Sequence, residues 1–359
     1  MKIINVTKSF LPNKKEYFEY LEKIWSSGWL TNNGKLTRNL EEKLKKFLGV
    51  KYLFLVNNGT TALQIAIKSL EKDKRDEIIT TPFSYVATTS AIVWEGYKPI
   101  FADIDPQTLM IDPKEIEQKI TKKTRAILAT HIFGYPTNVE VIKKIAKKYN
   151  LEVIYDAAHT FGSKYYEKSL ASYGDISIIS FHATKVFHTV EGGVIITNDK
   201  KLAHKIEYMR NFGHNGQYDY WGVGINGKIS EFHSAMGLIN LKYVKKLISR
   251  RKKASKLYDK LLANKSFISK ILVDKNCKTN YSYYPIIFNS EKKLLEVIER
   301  LNKKNIYPRR YFYPSLSELP YIKNQKMPIS ENISCRIVCL PLFHDISNEE
   351  IKSIVNEIY

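Results

Sequence analysis

Residues 51–70 read KYLFLVNNGTTALQIAIKSL. The run Tyr52–Val56 is short and apolar, as a buried strand is, and Asn57-Asn58-Gly59 is turn chemistry. From Thr60 onward Ala62, Leu63, Ala66, Ile67 and Leu70 recur at helical spacing. A strand that passes through a tight turn into a helix is the unit of a mostly parallel sheet, and it predicts an α/β fold. The turn also carries chemistry. Backbone N–H groups at a helix start lack intrahelical acceptors and sit at the positive dipole end, so Gly59 and Thr60 are candidates to hold a phosphate. Capping of the helix by Thr60 is the plain alternative. Neither Gly-x-x-x-x-Gly-Lys-Ser/Thr nor a post-strand Gly-x-Gly-x-x-Gly is present.

The same rhythm continues to about residue 200. EIIT, KPIFAD, RAILAT, LEVIYD, DISIIS and GVIITN read as strands, with TTALQIAIKSL, ATTSAIVWEG, DPKEIEQKI and NVEVIKKIAKKY as helices between several of them. Such sheets bind ligands at the carboxyl ends of their strands. After a long basic helical region near residues 230–262 the pattern changes: NYSYYPIIF and RIVCLPL read as strands, EKKLLEVIERLNKKN and SNEEIKSIVNEIY as helices. This predicts a large α/β domain over 15–245 and a small α+β domain over 246–359, which residues 1–14 are free to join.

At 359 residues the chain is long enough to bury a full core, and its 44% hydrophobic and 26% charged residues are ordinary for a globular protein. The net charge of +21 admits nucleic acid, a membrane surface or an anionic small molecule as partner. Most lysines, however, lie in stretches such as IKKIAKKYN and VKKLISRRKKASKLYDKLL, where they read as solvated helix faces. Neither a nucleic-acid-binding motif nor an apolar run of membrane length is visible, so neither partner is expected. Cys277, Cys335 and Cys339 are odd in number and lack Cys-x-x-Cys spacing, which implies neither a disulfide framework nor a zinc site. The first residues, MKIINVTKSFLP, hold no signal core, and a cytoplasmic location is expected.

Two more stretches carry chemistry. In EVIYDAAH, Asp156 closes a strand and His159 follows three residues later, with helix capping beside a surface histidine as the plain alternative. In SFHATKVFHTVEGG, from Ser180 to Gly193, one lysine, Lys185, stands past another strand among apolar and hydroxyl residues. A free lysine has a pKa of about 10.4 and is almost wholly protonated at neutral pH; partial burial lowers that value, and a carbonyl can then be held as a Schiff base. A lysine reaching to solvent is the alternative. Together the pieces fit pyridoxal phosphate, which needs a phosphate cradle, a lysine for its aldehyde, a carboxylate at its ring nitrogen and a flat side chain on its face. Gly59, Thr60 and Ser180 can serve the phosphate, Lys185 the aldehyde, Asp156 the nitrogen and Tyr85, in TPFSYVATTSA, the face. One competing reading is a metal-dependent glycosyltransferase using Asp103-Ile104-Asp105 to hold a divalent cation; a strand end followed by an Asp-Pro turn explains the same residues.

SGWLTNNGKLTRNLEEKLKKFLG, NGTTAL, TPFSYVATTS, YDAAHTFG, GDISIISFHATKVFHTVEGG, MRNFGHNG, GKISEFHSAMGL and RRYFYPSLSELPY occur in the order and spacing of the DegT/DnrJ/EryC1/StrS sugar aminotransferases. The chain resembles that family over almost its whole length. The resemblance implies the aspartate aminotransferase-like fold, pyridoxal phosphate fold type I, and a homodimer. It makes Lys185 the lysine that carries the cofactor's aldehyde and moves the substrate proton, and it pairs Asp156 with the ring nitrogen. It places His159 near the ring hydroxyl, Tyr85 on the ring face, and Gly59, Thr60 and Ser180 on the phosphate. It sends Asn226 to the partner subunit's phosphate, so that active sites are shared. Members commonly read Asn-Tyr-Arg where this chain reads Asn226-Gly227-Lys228, and lysine does not copy arginine's two-pronged contact.

The related dehydratases carry histidine in place of the lysine, so Lys185 favours transamination over dehydration, and the resemblance implies glutamate as donor and a dTDP-linked keto sugar as acceptor. The SFHATKVFHTVEGG form resembles members acting at C4 of the sugar, while members acting at C3 carry a Tyr-Pro-Gly-Lys-Asn version. The implied acceptor is dTDP-4-dehydro-6-deoxy-D-glucose, giving dTDP-4-amino-4,6-dideoxy-D-glucose, in lipopolysaccharide or O-antigen synthesis. A C3 aminotransferase acting on a dTDP-3-dehydro-6-deoxyhexose and a cofactor-bound sensor without turnover stay open as alternatives. Arg, Lys or Tyr residues of RRYFYP are available for the diphosphate, with no one of them singled out.

Overall fold

The computed structural model describes residues 3–70, 73–323 and 325–359. Seven strands form the main sheet, in chain order β1 (Tyr52–Val56), β2 (Glu77–Thr80), β3 (Lys98–Phe101), β4 (Thr124–Thr130), β5 (Glu152–Asp156), β6 (Ile176–Ser180) and β7 (Gly193–Thr197). Their spatial order is β1-β7-β6-β5-β4-β2-β3. Every neighbouring pair is parallel except those made by β7, which runs antiparallel between β1 and β6. All seven expected strands are therefore in one sheet, which is mostly parallel as expected.

The strands are apolar on both faces because helices cover both. Ile78, Leu128, Ile154, Ile178 and Ile195 pack on Leu63, Ile67, Ile92 and Ile206 from helices α1 (Gly59–Ser69), α2 (Val86–Trp94) and α3 (Lys200–Met209). Ile179, Val194 and Ile196, beside Ile178 and Ile195, and Leu55, between Phe54 and Val56 of the first layer, face the other way, onto Leu40, Leu44, Leu238 and Val244. This two-residue alternation between two buried layers is what a doubly covered sheet requires.

The small domain is a three-stranded antiparallel sheet, Ile268–Ser269, Tyr284–Phe288 and Ile337–Leu340, with helices Glu291–Lys303, Pro328–Arg336 and Asn348–Asn356. Residues Ile4–Asn5 pair in parallel with Ile306–Tyr307, and Ile4 is buried in the core of this domain. Residue 245 falls inside one uninterrupted helix, Glu231–Leu262. Leu238 and Val244 belong to the large-domain core, whereas Ala254, Tyr258 and Leu262 belong to the small-domain core. The change of core thus happens within a helix, where sequence composition offers no break. A further cluster joins Phe83, Ile104 and Phe133 to Tyr283, Phe312 and Ile337 across the two domains.

Candidate active site

The register of the sheet brings the chemistry-bearing loops to one end. Gly193, the first residue of β7, stands opposite both Val56 and Ser180, the last residues of β1 and β6. Asp156, the last residue of β5, lies beside Ile178. The turns that leave these strands enclose a cavity of about 330 Å³, lined by Asn58, Gly59, Thr60, Tyr85, Asp156, His159, Ser180 and Lys185, and on the far side by Tyr283, Arg309, Tyr311 and Phe312.

Close backbone approach builds the end of this cavity at Gly59 and Gly193. A Cβ on Gly193 would lie 2.9 Å from the carbonyl carbon and oxygen of Asn58 and 3.0 Å from the nitrogen of Gly59; one on Gly59 would lie 3.0 Å from Cβ of Ser180. At Gly193 only hydrogen clears the Asn58 backbone, and at Gly59 a methyl group would press on Ser180. The cap of α1 is Asn58 and not Thr60: Asn58 Oδ1 accepts from the Thr61 N–H at 2.8 Å, and its carbonyl accepts from Ala62 at 3.1 Å. That leaves Thr60, exposed on the first turn, with its hydroxyl available beside the N–H groups of Gly59 and Thr60.

Asp156 is only 4% exposed. Its Oδ2 accepts from Thr88 Oγ1 at 2.7 Å and its Oδ1 from the Ala158 N–H at 3.1 Å. Burial raises its pKa above the usual carboxylate range, against those two hydrogen bonds and the charge of Lys185. A carboxylate held this way is stabilised by a cation placed against it. Thr88 comes from α2, whose preceding residue, Tyr85, presents a ring that is 53% exposed to the same cavity.

His159 is buried, and its Nδ1 accepts the Phe133 N–H at 3.2 Å, so the proton of the neutral ring sits on Nε2. Burial, followed by the charge of Lys185, holds its pKa well below the usual histidine range. The ring is nearly parallel to those of Phe312 and Phe133, at 6.2 and 6.4 Å, and tilted against Tyr283 at 4.9 Å. Small-domain side chains therefore fix a large-domain histidine.

Lys185 lies in the loop from Phe181 to Gly192, its N–H donating to the His182 carbonyl at 2.9 Å. Its ammonium stands 6.0 Å from the ring centre of Tyr283. Burial pulls its pKa down to about 8, with Asp156 and Tyr85 acting in the opposite direction. An amine so placed is available as a base and nucleophile near neutral pH.

Seven of the eight residues singled out from sequence line this one cavity. Asn226 does not: it is exposed, and its carbonyl accepts from Asn57 Nδ2 at 3.3 Å. Lys228 donates to Asn226 Oδ1 at 2.7 Å and lies 4.4 Å over the Phe212 ring, so it braces the asparagine within its own chain. His188 points away, its ring bound to the Phe10 carbonyl at 2.7 Å. The Asp103-Ile104-Asp105 pair is spent on backbone. Asp103 accepts from the N–H groups of Ile329 and Ser330 at 2.9 and 3.0 Å, and Asp105 from those of Gln107 and Thr108. No cluster of metal ligands exists among the described residues.

Thr88, Glu191, Tyr283, Arg309, Tyr311 and Phe312 were not singled out by the sequence. Within RRYFYP the structure separates the two arginines: Arg309 faces the cavity, while Arg310 pairs with Glu291 at 2.6 Å and stacks on Tyr313 at 3.5 Å. No helix among the described residues is long and apolar enough to cross a membrane.

The model of the DegT/DnrJ/EryC1/StrS aminotransferase family matches residues 12–359. The chain is 41% identical to the dTDP-4-amino-4,6-dideoxy-D-glucose transaminase of Shigella dysenteriae, over 99% of this chain and 98% of the relative. It is 42% identical to the Escherichia coli protein of the same name, over 98% and 96%. The solved structure of DesI in the presence of its TDP-sugar product matches with a TM-score of 0.94 at 29% identity, over 100% of this chain and 92% of that one. The architecture is that of fold type I, and the cofactor is pyridoxal 5′-phosphate. The residues present fit it: a glycine-lined helix start at one end, a buried carboxylate short of a cation at the other, and a lysine of lowered pKa in the same wall.

Proposed function

The chain belongs to the DegT/DnrJ/EryC1/StrS aminotransferase family, and on that premise we propose that it moves the amino group of glutamate to the 4-keto group of dTDP-4-dehydro-6-deoxy-D-glucose, giving dTDP-4-amino-4,6-dideoxy-D-glucose. The observation that carries this reading is the partly buried Lys185 amine and the buried Asp156 carboxylate set in the walls of one cavity. Pyridoxal phosphate, when bound, supplies an aldehyde and a ring that draws electrons from the reacting carbon. Lys185 would hold that aldehyde until an incoming amine displaced it, and its freed Nζ would take and return the proton at the reacting carbon of each substrate in turn. Asp156, oriented by Thr88 and the Ala158 N–H, keeps the ring nitrogen protonated. Gly59, Thr60 and Ser180 would take the phosphate, Tyr85 would cover the ring face, and the Nε2–H of His159 would serve the ring hydroxyl. Arg309 supplies a planar guanidinium for a carboxylate of glutamate.

In this reading the working unit is a homodimer, with Asn226 of one copy completing the phosphate site of the other. Support comes from the exposed position of Asn226 outside its own cavity and from the neighbouring side chains Tyr218, Trp221, Val223 and Ile225, all well exposed. An apolar surface of this kind marks a protein contact.

The visible spectrum of the protein with pyridoxal phosphate tests the proposal. A cofactor band that changes on adding glutamate and returns with the 4-keto sugar is expected. A band that never responds to glutamate overturns catalysis in favour of a sensor, and a band restored by the 3-keto sugar alone overturns the assignment to C4.

A further inference from the structure

We infer that Glu191, set against His182, is the group in this cavity that recognises sugar hydroxyls, accepting hydrogen bonds from those beside the carbonyl to be aminated. The inference rests on the nucleotide-sugar reading above and names the part of the site that tells the second substrate from the first.

The loop between β6 and β7 is held by its own backbone. Phe181 N–H donates to the Gly192 carbonyl at 2.8 Å and Thr189 N–H to the Phe181 carbonyl at 3.0 Å. Thr189 Oγ1 donates to the Glu191 carbonyl at 2.7 Å. A Cβ on Gly192 would stand 2.1 Å from Thr189 Oγ1, so a larger residue there would displace the hydroxyl that holds the Glu191 carbonyl. The backbone on both sides of Glu191 is thereby fixed and its side chain leaves in one direction, into the cavity that holds Lys185.

The carboxylate is built to accept. It is 52% exposed, and the facing ring nitrogen, His182 Nε2, lies 3.6 Å away, beyond hydrogen-bond length. His182 is itself oriented: its Nδ1 accepts from the Thr184 N–H at 3.3 Å and stands 2.8 Å from Thr184 Oγ1, which puts its proton on Nε2, towards Glu191. The His182 carbonyl in turn holds the Lys185 N–H. Acceptor carboxylate, imidazole donor and reactive amine are therefore fixed to one turn. A hydroxyl beside the reacting carbonyl meets both an acceptor and a donor there.

Charge decides which substrate this serves. Glutamate brings carboxylates, which a half-exposed Glu191 repels and which Arg309, on the small-domain wall, attracts. A sugar brings neutral hydroxyls, for which a carboxylate is the stronger hydrogen-bond acceptor. One cavity can thus serve two unlike substrates through walls of opposite charge.

Glu191→Gln keeps size and exposure while removing the charge. Titration calorimetry on the holoenzyme with dTDP and with dTDP-glucose reads the sugar's contribution alone. For the variant, the affinity for dTDP-glucose should fall about tenfold relative to that for dTDP. In single turnovers, the keto-sugar half-reaction should slow at least about tenfold more than the glutamate half-reaction. Equal losses for dTDP and dTDP-glucose, no loss, or equal slowing of both halves would overturn the role of Glu191 while leaving the aminotransferase reading intact. A wild-type enzyme that reacts with glutamate yet binds no dTDP-glucose would overturn the nucleotide-sugar reading and this inference with it.

Discussion

Thr88 Oγ1 donates to Asp156 Oδ2 at 2.7 Å, from the helix whose N-terminus presents Tyr85. One helix therefore positions both a ring that lines the cavity and the hydroxyl that holds its buried carboxylate. Thr88→Val preserves shape and removes the hydrogen bond. The Asp156 pKa should rise further and cofactor affinity fall about tenfold, as expected for a hydrogen bond to a charged group. Titration of the apoprotein with pyridoxal phosphate measures this, and unchanged affinity would show that the bond is dispensable.

The lowered pKa of Lys185 predicts a pH dependence of cofactor capture by the apoprotein. The neutral amine is the reactive form, so the rate should climb through pH about 8 and level off above it. The same shift bears on stability. Between about 8 and the ordinary lysine value near 10.5 the unfolded chain binds more protons at this site than the folded one. This contribution to stability therefore rises with pH across that window, and below it the buried charge counts against folding. Lys185→Ala should reduce turnover by roughly 10²–10⁴-fold or more while leaving the apoprotein at least as stable near neutral pH, measured by denaturant unfolding.

Gly193→Ala sets a methyl group against the backbone of Asn58 and Gly59. Backbone cannot yield as a side-chain tip can, so a stability loss of about 1–3 kcal/mol is expected. Cofactor affinity should fall with it, because the displaced turn is the one proposed to hold the phosphate. A variant that unfolds earlier yet binds the cofactor normally would separate those two roles.

Arg309→Ala should raise the KM for glutamate by about tenfold or more, and Arg309→Lys should restore only part of it, since an ammonium makes no two-pronged contact with a carboxylate. Equal KM values for wild type and Arg309→Ala would place the donor elsewhere.

The proposed sharing of active sites between two copies is open to a complementation test. Lys185→Ala and Asn226→Ala, each impaired alone, should regain up to roughly one quarter of wild-type activity when unfolded and refolded together, because a mixed dimer contains one intact site. No gain on mixing would assign Asn226 to its own chain.

The sheet was legible because its strands are apolar, short and bounded by turn residues, and Asp156 and Lys185 stand where such strands end. The turn at Gly59 and the loop carrying Lys185 could be brought to the same end of the sheet for the same reason, being local patterns that follow strands. What escaped were pairings across long sequence distances. Nothing near Asp103 announces that it will cap a helix starting at Pro328. Thr88 reads as an ordinary helical threonine until Asp156 is brought against it. Arg309 and Arg310 are adjacent and chemically identical, and only the fold of the small domain turns one to the cavity and the other to Glu291. Thr60 was a reasonable cap by type, but Asn58 stands two residues earlier, where its side chain reaches Thr61.

The helix Glu231–Leu262 spans about 48 Å at the usual rise per residue and takes part in both cores. Cutting the chain near residue 245 would split a single structural member and strand an apolar stripe on each fragment. The two halves of this protein are consequently not interchangeable modules: a chimera that borrows the small domain of a relative must also borrow the far end of this helix, with Ala254, Tyr258 and Leu262, or graft a foreign core onto a native beam. Recombination that respects this would place its crossover inside the helix, between Val244 and Ala254, rather than in any loop.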